Sequence, residues 1–426
     1  MMMDLICSLI CIFTSFSLFS IYVRKWKYLK KLLLVNNEDT ILFDLLLFIC
    51  VVKIGLYYCL PSITHAISCW KPVYDEAVSP WEVTIVYLIE FVSYLIFIYT
   101  IQFYIKRKKP NITISKNKSS NGFIIGLLGL AALYYVNSVS VKGEEASTLD
   151  SFWFIMPFVR NCGIFLILYI ITIGTKLFSK LIVFCAIITL IPYLAFAITA
   201  GVRSLLVWPI VFLMYFTYKY NKEKLKIFLP IGLAGVILMS LFQDSLVAMR
   251  SQDASALEKV ANMKSSNNIS DTFEKLFEEI DFRFGAMTTY GVGYVRLVQQ
   301  GKSAGLNPIV NSLYAPLPRR FFDNKPIACS YDGTEYGQGM YMAMDAASKN
   351  VTYSMTEPAT GAHAYWELGI LGIIILSIIP AIYVMFCIGS FRRFGILAVP
   401  LFLVIFKCEY LEPKLWVSCI ILQFFQ

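Results

Sequence analysis

Long apolar runs recur along almost the whole chain, and no other property of the sequence constrains its fold so strongly. A helix that crosses a hydrocarbon core of about 30 Å needs about 20 mainly apolar residues. Eleven segments meet or approach that length: roughly 4–23, 40–60, 81–105, 122–139, 152–173, 181–200, 204–218, 227–247, 364–386, 394–406 and 415–426. In lipid the backbone polar groups must be satisfied inside the segment, and the short alternating strands of an outer-membrane barrel are missing, so the crossings are expected to be helices. The last two runs are short, which leaves ten or twelve crossings open. The expected fold is therefore an all-α polytopic integral membrane protein with about 11 transmembrane helices. Composition agrees, because only 15% of residues are charged, against about a quarter in soluble domains.

A formal charge of +9 on a soluble chain would raise nucleic acid as a partner. Its distribution gives another reading. Loops 24–39, 106–121, 174–180, 219–226 and 387–393 hold 19 basic residues, whereas the short loops between the opposite ends of the spans hold 5. By the positive-inside rule the first set is cytoplasmic, which puts the N-terminus outside and, with an odd number of spans, the C-terminus inside. The excess is a topology signal, and no nucleic-acid partner is expected. Residues 1–23 lack a basic stretch before the apolar run and carry Arg24, Lys25, Lys27, Lys30 and Lys31 after it, so a retained anchor is expected instead of a cleaved signal.

Three regions follow: residues 1–247 with the first eight spans, a large outer loop 248–363, and C-terminal spans in 364–426. The loop is nearly neutral, with 11 basic and 12 acidic residues. Asp271-Thr272-Phe273-Glu274 reads as an N-cap with an acidic third position, opening a helix with Phe273, Leu276, Phe277, Ile280 and Phe284 on one face. Gly285, Gly291, Gly293, Gly301 and Gly305 follow, then a Pro-punctuated run from Asn307 to Pro326, and segment 330–345 is expected to be irregular. A lid of short amphipathic helices over the membrane face is the expected form. The eleven cysteines show no CxxC pair and no spacing with histidine that suits zinc.

Three groups of residues are candidates for chemistry. Arg203 occupies a turn between two spans on the side the positive-inside rule disfavours. Its guanidinium suits a phosphate, gripped through two parallel hydrogen bonds, or it snorkels to lipid headgroups. Arg250, Arg283, Arg319 and Arg320 are placed to converge on the same point or to be solvated singly. Lys53, Glu90 and Arg160 lie inside spans at similar depth, where an isolated charge costs several kcal/mol. They form either a network in an outward-facing cavity or a structural ion pair. The third group is Glu357-Pro358-Ala359-Thr360-Gly361-Ala362-His363-Ala364-Tyr365-Trp366-Glu367 at the entry to the ninth span. His363, one of only two histidines, is either a base for a sugar hydroxyl or a hydrogen-bonded interfacial side chain.

On Gly201-Val202-Arg203-Ser204, on Leu317-Pro318-Arg319-Arg320-Phe321-Phe322-Asp323-Asn324-Lys325-Pro326, and on Gly361 to Gly372, the chain resembles the Wzy-type polymerases of O-antigen and capsule repeat units, and through them the O-antigen ligases. These are metal-independent membrane glycosyltransferases of the GT-C class with one large periplasmic loop. Many such polymerases place an acidic residue where this chain has His363, whereas the ligases place histidine. The base therefore stays open among His363, Glu357 and Glu367. The resemblance implies an inner-membrane enzyme of lipopolysaccharide or polysaccharide biosynthesis that needs no cofactor. A growing glycan leaves undecaprenyl pyrophosphate and joins the non-reducing-end hydroxyl of an incoming lipid-linked unit at the periplasmic face. Arg203, Arg250 and Arg283 would hold the pyrophosphate, with Arg319, Arg320 and Arg160 as further contacts, and a chain-length regulator and a flippase are implied partners. The alternatives are a ligase that passes finished polymer to lipid A core, favoured by His363, and a flippase or transporter of lipid-linked oligosaccharide. The long lid argues against transport.

Overall fold

In the computed structural model, which describes residues 2–35, 40–67, 78–107, 164, 167–172, 180–199, 213, 216, 217, 223, 226, 230, 285–314, 324, 326, 327, 330–334, 336, 337, 339–347 and 360–394, every regular element is helical. Four helical stretches among these residues are long and apolar enough to cross a membrane: Met3–Leu34, Phe43–Ala66, Pro80–Arg107 and Gly361–Met385. The chain is thus a helical membrane protein by length and composition of its helices. It divides into two compact units, the first made of Met1–Ser119, Ala146–Phe154 and Ile280–Gln426, the second of Ser120–Glu145 and Ile155–Glu279.

The first unit is organised on α4 (Pro80–Arg107). Its start is written in Ser79-Pro80-Trp81-Glu82. Ser79 Oγ accepts the Glu82 N–H at 3.3 Å while Glu82 Oε2 accepts the Ser79 N–H at 3.0 Å, a reciprocal cap that satisfies two donors the helix itself cannot. Pro80 stands at the first helical position, where its missing N–H costs nothing. α1 (Met2–Val35) packs on α4 and runs parallel to it: Cys11 meets Thr84, the Tyr22 hydroxyl donates to Tyr94 O, and Lys25 donates to Gln102. α2 (Ile41–Ile54) runs against α1, with Trp26 and Lys30 on Asp44 near one end and Ser15 on Ser62 near the other. A π-helical turn, Gly55–Cys59, joins α2 to α3 (Leu60–Ile67). The alternation down, up, down required by the basic loops is therefore present in the first three spans.

α5 (Lys180–Thr199) belongs to the second unit and matches the span expected at 181–200. Phe216 is buried in the same unit with its ring 5.7 Å from that of Tyr169.

Three further helices of the first unit come from the segment between expected spans eight and nine: α6 (Ala286–Gln299), α7 (Asn307–Leu313) and α8 (Gly339–Ala347). Two of them depart from expectation. Gly291 and Gly293 are part of α6, with Gly285 at its N-cap, and the helix is buried nearly all round among α4, α8 and α9 (Thr360–Phe394). Gly293 is there because a Cβ would lie 1.8 Å from Ala343 O of α8, so the glycine measures how closely two helix backbones approach. Segment 330–345 was expected to be irregular, yet its second part is α8, whose Ala343, Met344 and Ala347 are buried on that contact. The expected helix from Asp271 lies outside the described residues.

Candidate functional site

The ninth span does not begin as a plain helix at 364. Within α9 the backbone leaves helical geometry at Leu368 (φ −128°, ψ 19°) and Gly369 (φ 63°, ψ −144°). Positive φ is strained for any residue with a Cβ, so glycine at 369 is what allows the break. The break is a reversal. Ser93 donates to or accepts from Ser377 Oγ at 2.8 Å, and its Cβ lies 3.0 Å from where a Cβ of Gly361 would be. In a continuous helix residues 361 and 377 would stand about 24 Å apart. A Cβ on Gly372 would fall 2.0 Å from Ala364 O, which confirms the fold-back. α9 thus has a short first arm, residues 360–367, lying against a long second arm, residues 370–394, and the second arm alone exceeds the length of about 20 residues a crossing needs.

Non-helical backbone inside a membrane bundle survives only where protein satisfies it. Here the loop after α6 does so: Ala304 N–H donates to Trp366 O at 3.0 Å and Gly305 N–H to Glu367 O at 2.8 Å, and the Trp366 indole donates to Lys302 O at 2.9 Å. These are the orphan carbonyls of the first arm's C-terminal end. At its N-terminal end the Ala362 N–H donates to Glu90 Oε1 at 2.8 Å. Glu90 is completely buried on α4, and its other oxygen accepts the Tyr58 hydroxyl at 2.9 Å. Tyr58 sits on the π-helical turn, an extra residue's worth of winding of a kind frequent at functional sites. The Tyr87 hydroxyl donates to Tyr58 O and fixes that turn.

The arm carries His363 and Glu367 one helical turn apart, with Nδ1 3.7 Å from Glu367 Oε1. Both are buried, at 2% and 4% relative exposure. The imidazole meets the Tyr294 ring edge-on at 5.0 Å and the Trp366 ring at 5.4 Å. Its Nε2 would be 3.1 Å from a Cβ on Gly339, the first residue of α8. The expected candidates His363 and Glu367 are therefore brought together, but both are buried, with Tyr294 of α6 and Gly339 of α8 against the imidazole. A carboxylate beside one nitrogen of a buried imidazole is an arrangement that can orient a histidine base.

A fourth element of the site was not singled out from sequence. Arg296 of α6 grips Glu82 of α4 through two hydrogen bonds of 2.7 Å each, and its remaining nitrogen donates to the carbonyls of Ala346 and Ala347 at 3.2 and 2.9 Å. One guanidinium thereby ties α6 and the C-terminal end of α8 to the capped start of α4. The signal available was the acidic third position after Ser79 and a lone basic residue in an apolar helix. Between α7 and α8 a compact turn is held by Asn311 on Ser330 and by Asp332, which accepts the Thr334 hydroxyl and N–H at 2.7 and 2.9 Å. Those bonds hold the Asp332 carboxyl below the usual carboxylate range.

Of the other candidates, Arg203, Arg250, Arg283, Arg319, Arg320, Arg160 and Glu357 lie outside the described residues. Lys53 is on α2 and Glu90 on α4, where Glu90 accepts from Tyr58 and from the Ala362 N–H; the expected Lys53–Glu90–Arg160 network includes Arg160, which lies outside the described residues. Among the described residues no three of His, Cys, Asp or Glu gather as metal ligands. No protein-family model matches the chain, and neither does any characterised protein or any solved structure.

Proposed function

We propose that the chain is a Wzy-type polymerase of lipid-linked oligosaccharide repeat units, a membrane glycosyltransferase working at the outer face of a bacterial inner membrane. The observation that carries the reading is the buried His363–Glu367 pair on the short arm of α9, packed against α6 and α8. In this reading the non-reducing-end hydroxyl of an incoming unit attacks C1 of the growing glycan. The new C1–O bond forms as the bond from C1 to undecaprenyl pyrophosphate breaks, and the hydroxyl proton passes to His363 Nε2. Glu367 holds the imidazole and stabilises it once charged. Undecaprenyl pyrophosphate leaves with the electron pair, and arginines fixed in place stabilise the charge on its oxygens; Arg203, Arg250 and Arg283 are assigned that part, with Arg319, Arg320 and Arg160 in support. Glu357 is the alternative base. Substrate entry requires α8 to withdraw from Nε2, because Gly339 stands against it. The reaction draws on no cofactor or metal, and the chain-length regulator and flippase of the same pathway are the expected partners.

The test is reconstitution in proteoliposomes with undecaprenyl-pyrophosphate-linked repeat units of the source cell. The expected product is a ladder of longer lipid-linked glycans with release of undecaprenyl pyrophosphate, lost in Arg203→Ala and His363→Ala. A ladder undiminished by both substitutions rejects the assignment of the site. Transfer to lipid A core in place of a ladder would identify a ligase. The broken α9 favours one non-enzymatic reading, since discontinuous helices are common in transporters. That reading predicts movement of the unmodified lipid-linked unit across the bilayer with no new glycosidic bond.

A further inference from the structure

We infer that Glu90 is the positioning residue of this site: its carboxylate caps the short arm of α9 from a different helix and thereby sets where His363 and Glu367 stand. The inference rests on the reading that His363 serves the acceptor hydroxyl, and three independent contacts lead to it.

First, Glu90 is completely buried, and its two carboxylate oxygens are used on two different elements, Oε1 on the Ala362 N–H and Oε2 on the Tyr58 hydroxyl. Ala362 is the residue before His363, so the bond acts on the peptide next to the functional side chain. A carboxylate at a helix N-terminus satisfies an otherwise orphan donor and opposes the positive end of the helix dipole. Second, the approach is possible only because residue 361 has no side chain. A Cβ there would lie 3.0 Å from Glu90 Oε1 and 3.0 Å from Ser93 Cβ. Third, the arm's opposite end is already fixed by Ala304, Gly305 and Lys302. With one end pinned by the loop after α6, the contact at Ala362 determines the tilt of the arm, and His363 lies between the two anchors. Because Glu90 bonds the Ala362 peptide, the residue before His363, it acts on the arm through the backbone.

The chain has two histidines, so imidazole nitrogen NMR of the protein in nanodiscs gives two sets of signals, and the set missing from His363→Asn belongs to His363. Glu90→Ala is expected to move the His363 signals while leaving those of His65 in place. It should lower kcat for glycan transfer by at least about tenfold, as small misplacements of a reacting group do, with KM for the acceptor unchanged. Glu90→Gln keeps an oxygen that accepts the Ala362 N–H, and it should retain the His363 signals and most of the rate. Gly361→Ala provides the same test should Glu90→Ala fail to fold: its methyl group pushes against the carboxylate, and the His363 signals should move. Unchanged His363 signals in Glu90→Ala or in Gly361→Ala overturn the inference, as does a Glu90→Gln protein as altered as Glu90→Ala. Variants that respond in this way, beside a wild-type protein that transfers no glycan, remove the polymerase reading and leave the role of Glu90 standing. Active transfer with unresponsive signals does the reverse.

Discussion

Two buried carboxylates, Asp44 and Glu90, sit in different parts of the same helical unit, and they are stabilised by different means. Asp44 is met by the Lys30 ammonium at 2.9 Å, the Trp26 indole and the Thr40 hydroxyl. The Lys30 side chain is 40% exposed while Asp44 is 6% exposed, so the pair is a buried anion served by a cation that reaches in from the surface on a flexible stem. Glu90 takes hydrogen bonds from a tyrosine and a main-chain amide, and both donors come from irregular helix: the π-helical turn and the start of the broken α9. A cation on a long stem tolerates small movements of the helices around it. A main-chain donor does not, because its position is the position of the helix. The Asp44 region is therefore built to hold charge, and the Glu90 region to hold geometry.

That contrast is open to measurement, and the largest effect is expected where backbones touch. Gly372→Ala places a methyl group on Ala364 O and should destabilise the protein by about 3 kcal/mol, the upper end of ordinary overpacking. Unfolding in mixed detergent gives the comparison with wild type, and a change near zero would mean that the two arms of α9 do not pack as described. Next is Arg296→Leu, which removes two charge-assisted bonds to Glu82 and the cap on α8 and should cost about 2 kcal/mol. It should also raise protease or solvent access to α8 more than to α1, and equal access would argue against the guanidinium as the tie. Asp44→Asn keeps an acceptor for Trp26 and loses a pair whose lysine is well solvated, so a loss of only about 1 kcal/mol is expected. A cost above that of Arg296→Leu would reverse the contrast between the two regions. The smallest effect concerns Asp332. Its carboxyl is held below its ordinary range in the folded chain, so the stability it adds is present above the unfolded value of about 3.9 and fades as pH falls through the folded value. The difference between wild type and Asp332→Asn should be constant near neutrality and shrink only in acid.

Much of the bundle was legible in the residues. Apolar length located α1, α4 and α5 to within a few positions, apart from the basic extension of α1 to Val35, and the basic loops gave the alternating direction of the first three spans. The failures share one cause. Gly293 reads in sequence as one of a run of loop glycines and Gly369 and Gly372 as close packing against a neighbouring helix, but Gly293 sits at the backbone of α8, Gly369 turns the chain and Gly372 meets the first arm of its own helix. Hence α6 and α8 were hidden, and the ninth span was drawn through a reversal. Depth in the span singled out Glu90, whereas the main-chain donor that the broken helix offers it was invisible to that reasoning. His363 and Glu367 were identified by type and spacing, whereas their burial beneath Tyr294 and Gly339 depends on helices the sequence did not announce.

The two carbonyls of Trp366 and Glu367, satisfied by Ala304 and Gly305, also impose a timetable. A chain inserted from its N-terminus delivers α1 to α4 long before residues 302–305 exist, and the short arm of α9 comes later still. Hydrocarbon offers those carbonyls no partner. The arm therefore has no satisfied resting place until residues 304 and 305, which follow α6, are in position. In biogenesis, the short arm of α9 is completed only together with the loop that satisfies its carbonyls.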